Sequence, residues 1–178
     1  MLSDKRIKEA ETNVRIYLND YMLKKVKETN SIVLKTLINN SKESIKLAEI
    51  TFNGNHSNLW VIVISYYSMY YIANAVLYKY GYKVGDKISH KVTSDSLIVY
   101  IRKKLKDTLI EEYEKLREEV LAGIKADEII ESFDFERTKR SMFQYNTTEH
   151  VKFNKAKTSL LRAKEFLYEM NNLLDNSN

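Results

Sequence analysis

From Ser57 to Tyr78 the chain carries no charged side chain. A stretch of that length has two physical solutions. It can cross a bilayer as a helix of roughly 20 apolar residues, or it can run through the middle of a helical protein and be covered on every side. Ser65, Ser68, Asn74 and a run of tyrosines decide between them, because tyrosine belongs at membrane interfaces rather than throughout the hydrocarbon. The chain is therefore expected to be soluble, without membrane contact, with Leu59 to Tyr80 as a central helix buried on all sides. Ser68, Ala73 and Ala75 are small enough to let neighbouring helices approach it closely.

The remaining sequence agrees with a helical class. There is no proline, and the glycines are only Gly54, Gly81, Gly85 and Gly123. The strongest helix breakers are thus nearly absent. The expected fold is all-α, an up-and-down bundle of about four to five long helices with short extra helices, forming one domain over 1–178. Residues 1–30 form an N-terminal helix packed on that bundle or extending it. With no cysteine, disulfides, thiolate zinc sites and cysteine nucleophiles are all excluded. Met1 to Ala10 is charged and has no apolar segment of the secretory kind, so the expected location is cytoplasmic.

Apolar spacing places the helices. Ile7, Ala10, Val14, Tyr17 and Tyr21 make one stripe on a helix from about Ser3 to Lys27, capped by Ser3 or Asp4. Leu34, Leu37, Ile45, Ala48 and Phe52 face inward on a helix from Ser31 to Phe52, with Asn39-Asn40-Ser41 as a potential break. Asn53-Gly54-Asn55 marks a turn, Gly81 ends the central helix, and Tyr82 to Ser89 reads as a polar loop. Leu97, Ile98, Ile101 and Leu105 define a helix from Ser89 or Thr93 to Lys106. Leu109, Tyr113, Leu116 and Val120 define one from Thr108 to Ala122, with Gly123 as its end or bend. A shorter helix is predicted over Phe135 to Tyr145, with Asn146-Thr147-Thr148 as a break or cap. Phe153, Ala156, Leu160, Ala163, Leu167, Met170 and Leu174 then give the clearest heptad in the chain. It predicts a helical packing partner, within the chain or in a dimeric coiled coil.

Charge is unevenly distributed. Asp107 to Glu136 holds 11 acids against Lys115, Arg117 and Lys125, a local balance of −8; Arg137 to Lys164 holds 8 bases against Glu149, a balance of +7. Such a reversal marks either a polyanion-binding face or neighbouring helices that pair their charges. Phosphate-binding glycine loops, nucleophile elbows and zinc-protease helices are all missing from the sequence. His56, His90 and His150 lack metal-ligand spacing and read as surface histidines. No metal or cofactor is expected.

One family resemblance gathers these features. The stretch Ser65-Tyr66-Tyr67-Ser68-Met69-Tyr70-Tyr71-Ile72-Ala73-Asn74-Ala75-Val76-Leu77, followed by Tyr80-Gly81-Tyr82, resembles the central helix of HEPN domains. Ser89-His90, the segment Glu136 to Tyr145 and the final helix with Ala163 to Leu167 follow in the family's order. The resemblance covers about 41–174. It implies a homodimer in which an Arg-x4-6-His motif from each copy forms a metal-independent ribonuclease site, or a non-catalytic member acting in binding or assembly. Some members pair with a small nucleotidyltransferase as a toxin-antitoxin system. In this chain Arg140 is followed at that spacing by Tyr145 rather than histidine. The resemblance thus implies binding of RNA or a nucleotide in a basic interface groove, with weak or degenerate cleavage. Arg140 would contact phosphate, Tyr145 would orient or stack, and Ser141 and Gln144 would add polar contacts. Arg137, Lys139, Lys152 and Lys155 would widen the positive field. The alternative is a protein-interaction module, for example the partner of a nucleotidyltransferase.

Overall fold

The structure, a computed structural model, describes residues 2–105, 107–132 and 149–175. Among them are the helices α1 (Asp4–Asn19), α2 (Ser31–Asn53), α3 (Asn58–Lys79), α4 (Ser89–Ser96), α5 (Asp107–Ser132) and α6 (Glu149–Asp175). Two short strands, β1 (Leu23–Lys25) and β2 (Tyr82–Val84), form one antiparallel ribbon. The fold is an all-α bundle, as the periodicity predicts.

Helix α3 is its axis. The Ser57 hydroxyl caps it by accepting from the Trp60 amide at 3.3 Å. The helix lies between α2 and α6, with α4, α5 and β2 closing further sides. Tyr66, Met69, Ala73, Ala75, Val76 and Leu77 are fully buried, each large apolar side chain contributing about 1.5–3 kcal/mol by removal from water. It is the one helix among the described residues long and apolar enough to cross a membrane, and half of its most apolar window is buried. Cover is not complete, however. Leu59 and Trp60, in the first turn, are 44% and 58% exposed, and Ile62, Val63, Ile64, Tyr67, Tyr70 and Tyr71 are only partly buried, so burial on all sides holds only over the last turns, Ile72 to Tyr78.

Helix α2 runs unbroken through Asn39-Asn40-Ser41. Ser41 is fully buried and donates its hydroxyl to the Ser68 carbonyl of α3 at 2.8 Å. The side chain expected to weaken the helix instead satisfies a contact between the closest pair of helices. At the other end of α2, the Asn30 side chain accepts from the Ile32 and Val33 amides.

The N-terminal helix belongs to the core but is shorter than predicted. It is capped by Ser3 and buries Ala10, Val14 and Tyr17. It ends at Asn19, and Tyr21, placed by the spacing on its buried stripe, is 74% exposed with φ 59°. The reversal there sends the chain into β1, where Leu23 pairs with Val84, Lys24 with Lys83 and Lys25 with Tyr82. Tyr82 stacks on Tyr100 at 3.8 Å, which ties the ribbon to the segment after α4. Burial and the Tyr82 hydroxyl push the Tyr100 hydroxyl up to about 12.

A polar cluster fastens α1 to α4 and α5. Arg6 Nη2 donates to Asp95 Oδ1 at 2.6 Å and to Glu114 Oε1 at 2.5 Å. Asp95 is fully buried and also accepts from Asn13 at 3.0 Å and the Tyr17 hydroxyl at 2.8 Å. Ser94 donates to Glu114 at 2.9 Å. Hydrogen bonds to the two carboxylates outweigh desolvation and raise the Arg6 pKa.

Helix α4 starts at Ser89 and continues as a π turn, Leu97–Ile101, and a 3-10 turn, Arg102–Lys104. Leu97, Ile98 and Ile101 are buried as predicted. Helix α5 buries Leu109, Tyr113, Leu116 and Val120, but passes through Gly123 and ends at Ser132 rather than near Ala122. The heptad on α6 is spent inside the chain: Ala163, Leu167 and Met170 pack in the core shared with α3. That seam is therefore occupied by α3 within the chain. The predicted segment Phe135 to Tyr145 and the break at Asn146 to Thr148 lie outside the described residues.

Candidate functional site

The ribbon, α2 and the last turns of α3 enclose a cleft of about 330 Å³, within the roughly 300–1,000 Å³ common for small-molecule sites. Val33 and Leu37 of α2 form one wall, and Tyr70, Tyr71, Asn74 and Tyr78 of α3 form the other. Lys83, Gly85, Asp86 and Ser89 complete the rim. Tyr70, Asn74 and Tyr78 share a side of α3 because they stand four residues apart, and Tyr71 lines the adjoining edge of the cleft. Tyr78 is also structural, since its hydroxyl accepts from the Asn30 amide at 3.0 Å. Asn74 is fixed by bonds to the Tyr70 carbonyl and to the Thr93 hydroxyl.

The rim carries one lysine and one aspartate, and a second lysine stands beside the first. Lys24 and Lys83 are direct cross-strand partners, and both are exposed. Like charges placed opposite each other on a ribbon are mildly destabilising. Close backbone approach fixes the same corner: the Gly85 amide donates to the Met22 carbonyl at 2.8 Å, and a Cβ at Gly85 would stand 3.2 Å from that oxygen. Beside it, Ile88 holds a left-handed conformation, φ 42° and ψ 35°, at the start of α4, with no side-chain cap for the helix. A β-branched residue in that region is strained.

His90, in the first turn of α4, lies immediately behind the cleft. It is half-buried rather than the surface histidine expected from sequence. Its Nδ1 is 2.7 Å from the Tyr66 hydroxyl, and the Tyr70 ring, which lines the cleft, is 4.4 Å from the imidazole centroid. Tyr67 sits edge-on to it at 5.8 Å. Burial, reinforced by the nearby Arg117 charge, holds the His90 pKa below the ordinary value. Burial raises the Tyr66 and Tyr113 hydroxyls above theirs. At neutral pH the group is therefore a neutral imidazole among protonated phenols. A Tyr66 hydroxyl that donates to Nδ1 fixes the tautomer with the proton on Nε2, and the reverse tautomer has Nδ1 donating to the phenol.

Of the site residues singled out from sequence, Lys152 and Lys155 are described, and neither lines the cleft. Arg137, Lys139, Arg140, Ser141, Gln144 and Tyr145 fall outside the described residues. Lys152 and Lys155 stand in the first turns of α6, Lys152 half-buried and Lys155 exposed. Part of the basic run is engaged in pairing between helices: Lys164 meets Glu49 of α2 at 2.6 Å and Arg162 meets Glu112 of α5 at 3.8 Å. His56 is exposed. The cleft residues were missed, although the spacing of Tyr66, Tyr67, Tyr70 and Tyr71 signals a tyrosine-rich face. The pairing of Lys24 with Lys83 has no comparable signal, since it needs the ribbon.

Taken together, fold and site define an all-α bundle with a tyrosine-lined, lysine-rimmed cleft at the ribbon end of its central helix. No family model, curated protein or solved structure matches the chain.

Proposed function

We propose that the chain binds RNA or a nucleotide as a HEPN-like helical protein, with the cleft between α2, α3 and the ribbon as the base-binding site. The observation that carries this reading is the combination of stacking faces with cation: Tyr70 and Tyr71 on the wall, and Lys83, opposed by Lys24, on the rim. Aromatic faces take any base, and a rim lysine supplies a phosphate contact. Asn74 and Asp86 add polar groups suited to a base edge or a ribose hydroxyl. The family resemblance and the basic run from Arg137 to Lys164 point the same way, and the resemblance adds a second copy of the chain as partner.

The test is anisotropy of a labelled single-stranded RNA and of a labelled nucleotide, titrated with the full chain over a salt series. Tyr71→Ala is expected to weaken binding by about five- to 150-fold, from a stacking contribution of about 1–3 kcal/mol per base. Lys83→Ala is expected to reduce the salt slope by about 0.7. Binding indifferent to salt and to both substitutions would refute the proposal.

A second reading, a protein-interaction module, is favoured by Leu47 and Ile50 near the end of α2 and Leu59 and Trp60 at the start of α3, all between 44% and 58% exposed. Exposed apolar groups gathered at one end of a helical hairpin are a docking feature. Trp60→Ser would then abolish capture of a protein partner while leaving RNA affinity unchanged.

A further inference from the structure

Behind His90, among the described residues, the core contains a cation with one unmet donor. Arg117 is 12% exposed, and its Nη1 is buried without a hydrogen-bond partner. Among the described residues its carboxylate contact is Glu118, 3.6 Å from Nη2 and 74% exposed, a distance and exposure at which pairing is weak. Glu114, three residues earlier, is committed to Arg6 and Ser94. One turn before Arg117 on the same face of α5, the Tyr113 hydroxyl is fully buried. No hydrogen bond of good geometry meets that hydroxyl among the described residues. Tyr66 in turn holds His90 at 2.7 Å, and the rings of Tyr113 and Tyr66 are 5.8 Å apart. Two donors with unmet demand therefore stand one helical turn apart, beside a neutral imidazole.

We propose that Arg117 and the Tyr113 hydroxyl form an oxyanion subsite, and that a phosphate is its ligand. A guanidinium offers paired donors that match phosphate oxygens. The Tyr113 hydroxyl keeps its proton and so donates to an anion. Charged donors left unpaired in a protein interior are strongly unfavourable, and an anion removes that penalty. Free phosphate and the phosphate of a nucleotide share this chemistry. The inference does not depend on the cleft binding a base.

The experiment uses the full chain and the His90 imidazole resonances. The chain is titrated with inorganic phosphate, with a nucleoside monophosphate, and with sodium chloride at matched ionic strength. Bound phosphate offsets the Arg117 charge felt by His90, so the imidazole titration midpoint is expected to rise with phosphate and not with chloride. Arg117→Gln is expected to abolish the rise, and Tyr113→Phe, which keeps the ring stacked on Phe166 at 5.4 Å, to weaken phosphate binding by about ten-fold. Should Arg117→Gln fail to fold, Arg117→Met, which removes the charge and keeps an unbranched apolar stem, and Tyr113→Phe give the same reading. A response to the nucleotide alone, lost in Arg117→Gln but retained in Lys83→Ala, assigns the subsite to a nucleotide phosphate. No response to either anion, or an equal response in Arg117→Gln, overturns the proposal. An intact phosphate response with no effect of Tyr71→Ala on RNA sinks only the cleft reading.

Discussion

Replacing Arg6 with methionine tests how the N-terminal helix is held. The substitution keeps an unbranched apolar stem and removes the cation that pairs with two carboxylates, Asp95 and Glu114. Breaking a buried ion pair by removing one partner costs about 3–5 kcal/mol, most of it from the charge left behind. Two features place this case at the lower end. Arg6 is 21% exposed, so water can reach the vacated position, and Asp95 keeps its bonds from Asn13 and Tyr17. The expected loss is therefore about 3 kcal/mol, a large share of the roughly 5–15 kcal/mol typical of a domain. For a chain of this size that lowers the melting temperature by about 6–12 °C. Urea unfolding followed by far-ultraviolet circular dichroism measures it. Adding Asp95→Asn to Arg6→Met should restore part of the loss, because the buried charge is then removed with its partner. A loss below about 1 kcal/mol, the range of exposed pairs, would refute the view that this cluster fastens α1 to the bundle.

Other consequences concern the start of α4. Ile88→Gly removes a left-handed strain of about 1–2 kcal/mol at a side chain that is 55% exposed, so thermal melts should show a more stable protein; a destabilised variant would mean that the Ile88 side chain contributes packing that outweighs the strain. The depressed His90 pKa means that, on acidification, the unfolded chain takes up a proton before the native one does. Its contribution to stability is thus present above the unfolded value near 6.5 and is lost as pH falls through the folded value. Urea midpoints for His90→Asn should accordingly fall less between pH 7 and pH 5 than those of the unaltered chain, and parallel pH profiles would contradict this.

The long helices were legible because their cores repeat at helical spacing. The stripes on α5 and α6 are buried at the residues the periodicity selects, apart from the two ends of α6, where Phe153 is 36% exposed and Leu174 is partly buried. What the pattern could not give depends on distant partners. Tyr21 continues the α1 stripe, yet the helix stops at Asn19 so that three residues can pair with three others beyond Gly81. Strands that short carry no alternation to read. Gly81 itself was a sound stop signal: its φ of 86° suits glycine. Asn39-Asn40-Ser41 looked weak only because the acceptor for Ser41 lies on α3. His90 looked exposed because Tyr66, its hydrogen-bond partner, is on another helix. The sequence-derived ligand residues from Arg137 to Tyr145 came from motif order, and the cleft came from geometry.

The most direct measurement is photo-crosslinking of single-stranded RNA carrying 4-thiouridine to the full chain, with the adducts mapped by mass spectrometry. Adducts are expected on Tyr70, Tyr71 or Lys83, the groups that line the cleft. Adducts confined to other surfaces, with none of these three labelled, would contradict the assignment of the base-binding site.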